Sequence, residues 1–251
     1  MSINTITGTN LNDVYFVNSA TFPGSYTSFT FYTYGGDDIV WLADGYSATV
    51  YAGDGDDSVF GGNQDDRFFG GKGNDSLFGD NGNDYLDGGH GNDVLSGGLG
   101  DDFIFGNKGN NTLYGGDGND VVNTGDHTSI ANGGTGDDLI VARLKKGGDH
   151  ILLGGDGADT FDFVFQSSKK SADVTIIDFE LGIDEFNVGG MNGQAWVNAN
   201  FAFAEIFGLD LLTEVDGNAV LNIGSKDTIT FEGISEDEFM AYYADDLLLV
   251  G

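Results

Sequence analysis

The chain has 251 residues, 39% of them hydrophobic, with 41 Asp and Glu against 9 Lys and Arg, a formal charge of −32 and no cysteine. That balance argues against nucleic acid and anionic membrane surfaces as partners, and it leaves neither disulfides nor thiolate metal sites to hold a fold. The start, MSINTITGTNLNDV, carries no basic or apolar leader region, and no run approaches the ~18 apolar residues of a membrane-spanning helix.

In chain order, Gly8-Thr9-Asn10-Leu11-Asn12-Asp13-Val14-Tyr15-Phe16 reads as a degenerate glycine and aspartate repeat. The run 21–34 is rich in Thr, Ser, Phe and Tyr and predicts a strand or short hairpin. Residues 1–33 are read as a cap, because the terminal units of a solenoid need one for solubility. A regular pattern starts at Gly35-Gly36-Asp37-Asp38 with Val40 inward, passes a degraded unit at 43–51 and reaches Asp57 after nineteen residues, which predicts a one-residue bulge. From Asp57 the same position recurs every nine residues at Asp66, Asp75, Asp84, Asp93, Asp102, Asn111, Asp120, Ser129 and Asp138. Around 65–102 each aspartate follows a Gly-Gly-x-Gly-x frame, whole or nearly whole, and precedes an apolar residue by two: Phe68, Leu77, Leu86, Leu95 and Ile104.

Glycines allow the frame to turn tightly through positive φ and expose its carbonyls, while the three residues after it extend as a strand with the apolar side chain inward. Two units make one coil, and a coil buries almost nothing until others stack on it. The fold expected is therefore all-β, a right-handed parallel β-roll with an N-terminal cap and an antiparallel β cap at the C-terminus. Stacking sets aspartates eighteen residues apart beside one another, and they would repel unless a cation sat between them. Six to eight hard carboxylate and carbonyl oxygens are what calcium prefers. The predicted ligands are the side chains of Asp38, Asp57, Asp66, Asp75, Asp84, Asp93, Asp102, Asn111, Asp120, Asp138, Asp149 and Asp159. Backbone oxygens are expected from the glycine frames: Gly70, Gly73, Gly88, Gly91, Gly97, Gly100, Gly115, Gly118, Gly133, Gly136, Gly154 and Gly157. One edge carries Asp66, Asp84, Asp102, Asp120 and Asp138, and the other carries Asp57, Asp75 and Asp93 before Asn111 and Ser129. Asn offers a carbonyl oxygen and Ser a poor neutral one, so the second row should weaken beyond Asp93; counting Asp pairs gives about six calcium ions or more. A Gly/Asp-rich disordered linker is the bland alternative, but it would not hold an apolar residue in phase with the aspartate.

The nine-residue pattern resembles the calcium-binding repeat of the RTX family. After Asp138 the count breaks, with Asp149 eleven residues on and Asp159 a further ten; Arg143, Lys145 and Lys146 lie in what reads as a surface insertion or a small basic binding patch. The last unit, 154–161, runs into 166–188 in a way that resembles the junction of roll and C-terminal flank in serralysin-type metalloproteases and in the R-modules of secreted mannuronan epimerases, a likeness covering roughly 34–251. The division expected is a cap at 1–33, the roll at 34–165 and a β flank at 166–251. Within the flank, Asp216-Gly217-Asn218 predicts a hairpin between 212–215 and 219–223, 227–231 a third strand and 235–238 the capping-box start of a short helix. The resemblance implies secretion by the type I machinery through an uncleaved C-terminal signal, Asp246-Leu247-Leu248-Leu249-Val250, which also reads as a closing edge strand.

No H-E-x-x-H or G-x-S-x-G pattern occurs; the nearest to the latter, at 45–49, lacks its second glycine. His90, His127 and His150 are scattered and are expected to be solvated loop residues. The reading is a secreted, calcium-dependent, non-enzymatic binding or structural module. Its rivals are a module for an extracellular polysaccharide or surface partner, and the C-terminal part of an enzyme; Met1 before a capped start favours a complete protein. Trp41, Phe60, Phe69, Phe78, Tyr85, Phe103, Phe105 and Tyr114 point outward, where terminal segments should fold over them, unless they serve as a platform for a partner or sugar.

Overall fold

A computed structural model describes residues 3–18, 27–144, 148–165, 172–189, 197–198, 212–223 and 227–247. Successive short strands alternate between two sheets, one of eleven strands and one of twelve, which makes an all-β parallel β-roll. Strands Ser76–Asn81 and Val94–Leu99 show the rule: Leu77 pairs with Leu95 and Asp80 with Gly98, one coil apart and parallel. Side chains alternate in and out along each strand, so each repeat delivers one apolar residue to the space between the sheets. Phe68, Leu77, Leu86, Leu95 and Ile104 are each fully buried there, and Leu113, Val122, Ala131, Ile140, Leu152 and Phe161 continue the column. The glycines at the turns do what only glycine does cheaply, as at Gly73 (φ 124°) and Gly91 (φ 143°).

The parallel ladders reach back to Ile3–Thr7 and Val14–Val17, which pair with Ser28–Tyr32 and Ile39–Leu42. The strand at Ser28–Tyr32 has parallel neighbours on both sides and is not part of a hairpin; residues 19–26 lie outside the described residues. The extra residue before Asp57 falls in the turn after Leu42, because Ile39 pairs nineteen residues on with Ser58 whereas Thr49 pairs eighteen on with Arg67. In the later insertion, Ile130 pairs with Ile151 and Leu139 with Thr160, twenty-one residues apart in both sheets. Lys145 and Lys146 lie outside the described residues.

At the C-terminal end, strand Asp227–Phe231 pairs in parallel with Asp173–Ile176 and antiparallel with Asn218–Ile223, which forms the expected hairpin with Leu212–Val215. Phe161, Phe179, Phe186, Phe231 and Phe239 close the roll with ring centroids 4.9–6.0 Å apart. Ser235 caps the helix Glu236–Leu247: its Oγ accepts the Glu238 N–H at 3.3 Å, and Glu238 accepts the Ser235 N–H at 3.0 Å. The expected closing strand is corrected here, since 244–247 are helical and 248–251 lie outside the described residues. Among the described residues no helix is long and apolar enough to cross a membrane.

Among the described residues no terminal segment covers Trp41, Phe103 or Tyr114, contrary to expectation. Trp41, Phe103 and Tyr114 are 50%, 49% and 44% exposed, because the first strands extend the sheets and do not cross their outer faces.

Candidate metal centre

Each coil turns twice, and at each turn the aspartate that closes the glycine frame is folded inward against the next coil. Its Oδ1 accepts the backbone N–H of the equivalent residue one coil earlier: Asp57 N–H to Asp75 at 2.9 Å, Asp75 to Asp93 at 2.9 Å, Asp66 to Asp84 at 2.7 Å and Asp84 to Asp102 at 2.7 Å. The other oxygen, Oδ2, is buried without a hydrogen-bond partner at Asp38, Asp57, Asp66, Asp75, Asp84, Asp93, Asp102, Asp120, Asp138 and Asp159. A buried carboxylate oxygen left without a donor is costly unless a cation supplies the missing charge.

The space beside each Oδ2 is shaped by the missing side chain of the first glycine. A Cβ on Gly70 would collide with the Asp75 carboxylate and stand 2.8 Å from the Gly88 carbonyl oxygen. The same holds at Gly79 with Asp84 and the Gly97 oxygen (2.7 Å), and at Gly133 with Asp138 and the Gly154 oxygen (2.6 Å). Carboxylate and carbonyl oxygens thus converge on a cradle that glycine keeps open. Hard oxygens of this kind fit calcium, which would be held by the aspartate Oδ2 atoms and turn carbonyls. Among the described residues no three His, Asp or Glu side chains come together as a metal cluster, so the backbone oxygens are essential to the fit. Gly79→Ala, at a backbone angle open to any residue, is expected to weaken calcium at its turn about tenfold or more, checked by calorimetric titration against wild type.

Without a cation the carboxyls are held in a protonating environment. Burial, opposed by the backbone N–H bonds and assisted by neighbouring carboxylates, pushes Asp66, Asp75, Asp84, Asp102 and Asp138 up to about 7. Asp57, Asp93, Asp120 and Asp159 are pushed up to about 6 by the same causes.

Most of the anticipated residues fall where the spacing put them. The row of Asp66, Asp84, Asp102, Asp120 and Asp138 continues to Asp159, whose Oδ1 accepts the Asp138 N–H at 3.0 Å. Asp149 does not join the other row: it is exposed, and the register sets His150 beside Ser129. His150 is 1% exposed with neither ring nitrogen partnered, and burial lowers its pKa to about 4, so it is a neutral core residue and not a solvated one. His90 is exposed and His127 half-buried. Asn111 is buried in line with the aspartates, but its Oδ1 is taken by the Asp93 N–H at 2.9 Å, so the amide oxygen expected for calcium is already engaged.

Sequence reasoning missed a second column. The residue before each aspartate is Asp or Asn at 56, 65, 74, 83, 92, 101, 110, 119 and 137. These side chains accept the N–H of the equivalent residue one coil later, as from Asn83 to Asp65 (2.9 Å), Asp101 to Asn83 (3.0 Å) and Asn119 to Asp101 (2.9 Å). The two columns therefore run in opposite directions and lock each turn to both its neighbours. A nine-residue recurrence of Asn and Asp was the available signal. Asp184, also unanticipated, ends one row, because its Oδ1 accepts the Asp159 N–H and its Oδ2 the Glu180 N–H.

Two parallel sheets joined by turns lined with unpartnered carboxylates define a cation-binding β-roll. The RTX calcium-binding nonapeptide repeat (4 copies) matches residues 44–77, 69–104 and 96–126, so over that stretch the chain carries calcium-binding repeats of the RTX type. The chain is also similar to the extracellular lipase LipA from Serratia marcescens, at 18% identity and a TM-score of 0.26, with 81% of this chain and 43% of that one covered. It thus spans less than half of that lipase. No curated protein matches the sequence.

Proposed function

We propose that this protein is a secreted RTX β-roll that folds on meeting extracellular calcium and acts outside the cell as a non-enzymatic binding or structural module. The observation that carries the reading is the pair of buried columns of unpartnered Asp Oδ2 atoms. Such columns are tolerable where calcium stands near millimolar, and costly where it is scarce. A chain of formal charge −32 that stays extended in low calcium suits passage through a type I channel, followed by folding outside. The export signal is assigned to the acidic-then-apolar end, 245–251. Deleting those seven residues should leave the protein inside a cell that carries a type I exporter, read by immunoblot of cells and medium; undiminished secretion of the truncation would refute the assignment.

A sugar platform on the outer aromatics is the second reading, and the ring geometry weighs against it. Tyr32, Tyr51 and Phe69 stack at 4.9 and 5.0 Å with interplanar angles of 4° and 7°, and Phe60 on Phe78 at 5.2 Å and 5°. Within these stacks the rings cover one another's facing sides and turn their edges to solvent, whereas a sugar packs on an open face. The stacks are accounted for as cross-strand stabilisation, worth about 0.5–1.5 kcal/mol per pair.

A further inference from the structure

We infer that the turn of Asn111 is built to stay free of metal, with the Asn111 amide nitrogen taking the place that calcium takes at the other turns. This rests on the calcium reading above and concerns which turns the metal occupies.

At an ordinary turn the cradle holds acceptors only. A Cβ on Gly115 would meet the Asp120 carboxylate and the Gly133 carbonyl oxygen of the next coil, and nothing there donates. At Asn111 the same place is lined differently. A Cβ on Gly106 would stand 2.6 Å from Asn111 Nδ2 and 2.8 Å from the Thr124 carbonyl oxygen, so a donor now lines the cradle, although Nδ2 itself makes no hydrogen bond there. The amide orientation is fixed, because the Asp93 N–H at 2.9 Å requires an oxygen and leaves the nitrogen for the cradle. An N–H pair aimed into the cradle presents positive charge density to a cation and repels it. Turning the amide round to offer its oxygen would set its N–H against the Asp93 N–H inside a buried turn, where Asn111 is 1% exposed.

The next turn is closed by side-chain hydrogen bonds. Ser129 Oγ accepts the Asn111 N–H at 3.2 Å and donates to the Thr124 or His127 carbonyl oxygen at 3.2 or 3.3 Å. His127 stands where the frame elsewhere has its last glycine, and its Nδ1 accepts the Gly109 N–H at 3.3 Å; one coil earlier the Gly91 N–H goes to the Lys108 carbonyl at 2.9 Å. Side chains of this turn thus satisfy one another without an ion. The roll has a metal-independent joint midway along one edge, opposite a row that needs metal throughout.

The test is the anomalous difference map of calcium-loaded wild-type crystals, together with the bound calcium per chain of Asn111→Asp and Asn111→Ala measured by atomic emission. The map should show ions at the Asp75 and Asp93 turns and none at the Asn111 turn. Asn111→Asp restores an acceptor and should gain one ion per chain, while Asn111→Ala gains none. An ion at the wild-type Asn111 turn, or an Asn111→Asp protein that folds and binds no more calcium than wild type, overturns the inference and leaves the calcium reading standing. Wild-type protein that binds no calcium overturns both. Should Asn111→Asp fail to fold, the wild-type map decides alone.

Discussion

Stripping calcium at neutral pH should remove most of the β signal in far-UV circular dichroism, and returning it should restore the signal. Ten buried carboxylates lack a donor for one oxygen each, stacked one coil apart along two edges. Parallel strands in this roll lie about 4.8 Å apart, so like charges would face each other at close range in a poorly screened setting. Six calcium ions would cancel twelve of the 32 net negative charges, and the binding energy appears as folding energy because no cradle exists in the unfolded chain. The 43 glycines add to the entropy that must be overcome. Full β structure in excess chelator would sink this expectation.

Acid should partly replace calcium. In the unfolded chain the aspartates titrate near 3.9, whereas in the metal-free roll nine of them are raised to about 6 or 7. The folded state therefore binds protons more tightly, and the stability this lends is fully present below about 3.9 and is lost as the pH climbs through 6 to 7. His150 works in the other direction: its pKa is lowered to about 4, so its contribution is present above about 6.5 and fades as the pH falls towards 4. Nine carboxyls outweigh one imidazole. Calcium-free protein taken from pH 7.5 to about 4.5 should gain β signal, while calcium-loaded protein over the same range should release its ions to competing protons. A calcium-free sample with no more β structure at 4.5 than at 7.5 would show that proton uptake does not stabilise the roll.

The strand phase was legible because one apolar residue and one aspartate recur in every repeat, and both have a single place to go: Leu86 and Leu95 into the core, Asp84 and Asp93 into the turns. Asp149 lies near the phase of the repeat without being in it. Three added residues between Leu139 and Ile151 move the inward turn position to His150, and only the pairing of Ile130 with Ile151 shows it. Asn111 is a case of chemistry hidden by composition, since Asn carries an oxygen on paper, yet which of its two ends faces the cradle is decided by the Asp93 N–H. The first strands carry no whole glycine frame in the sequence, yet Val14 and Phe16 pair with Ile39 and Trp41 in register. The helix takes in 244–247, next to the segment that reads as a closing edge strand, with Ala244 and Leu247 as its helix-favouring residues.

The counter-running columns at the turns make the roll modular. From Asp57 to Asp102 each coil hands its successor the same donors and acceptors that it received from its predecessor, so a coil there is defined by its junctions and not by its address in the chain. Excising 76–93 would bring Val94 directly after Asp75 and Leu95 into the place of Leu77, with strand, core residue and turn aspartate all renewed in phase. Length in the regular part of the roll is thus a quantity that changes in steps of eighteen residues, and gene duplication or loss there could lengthen or shorten it like a telescoping ruler without redesigning either end.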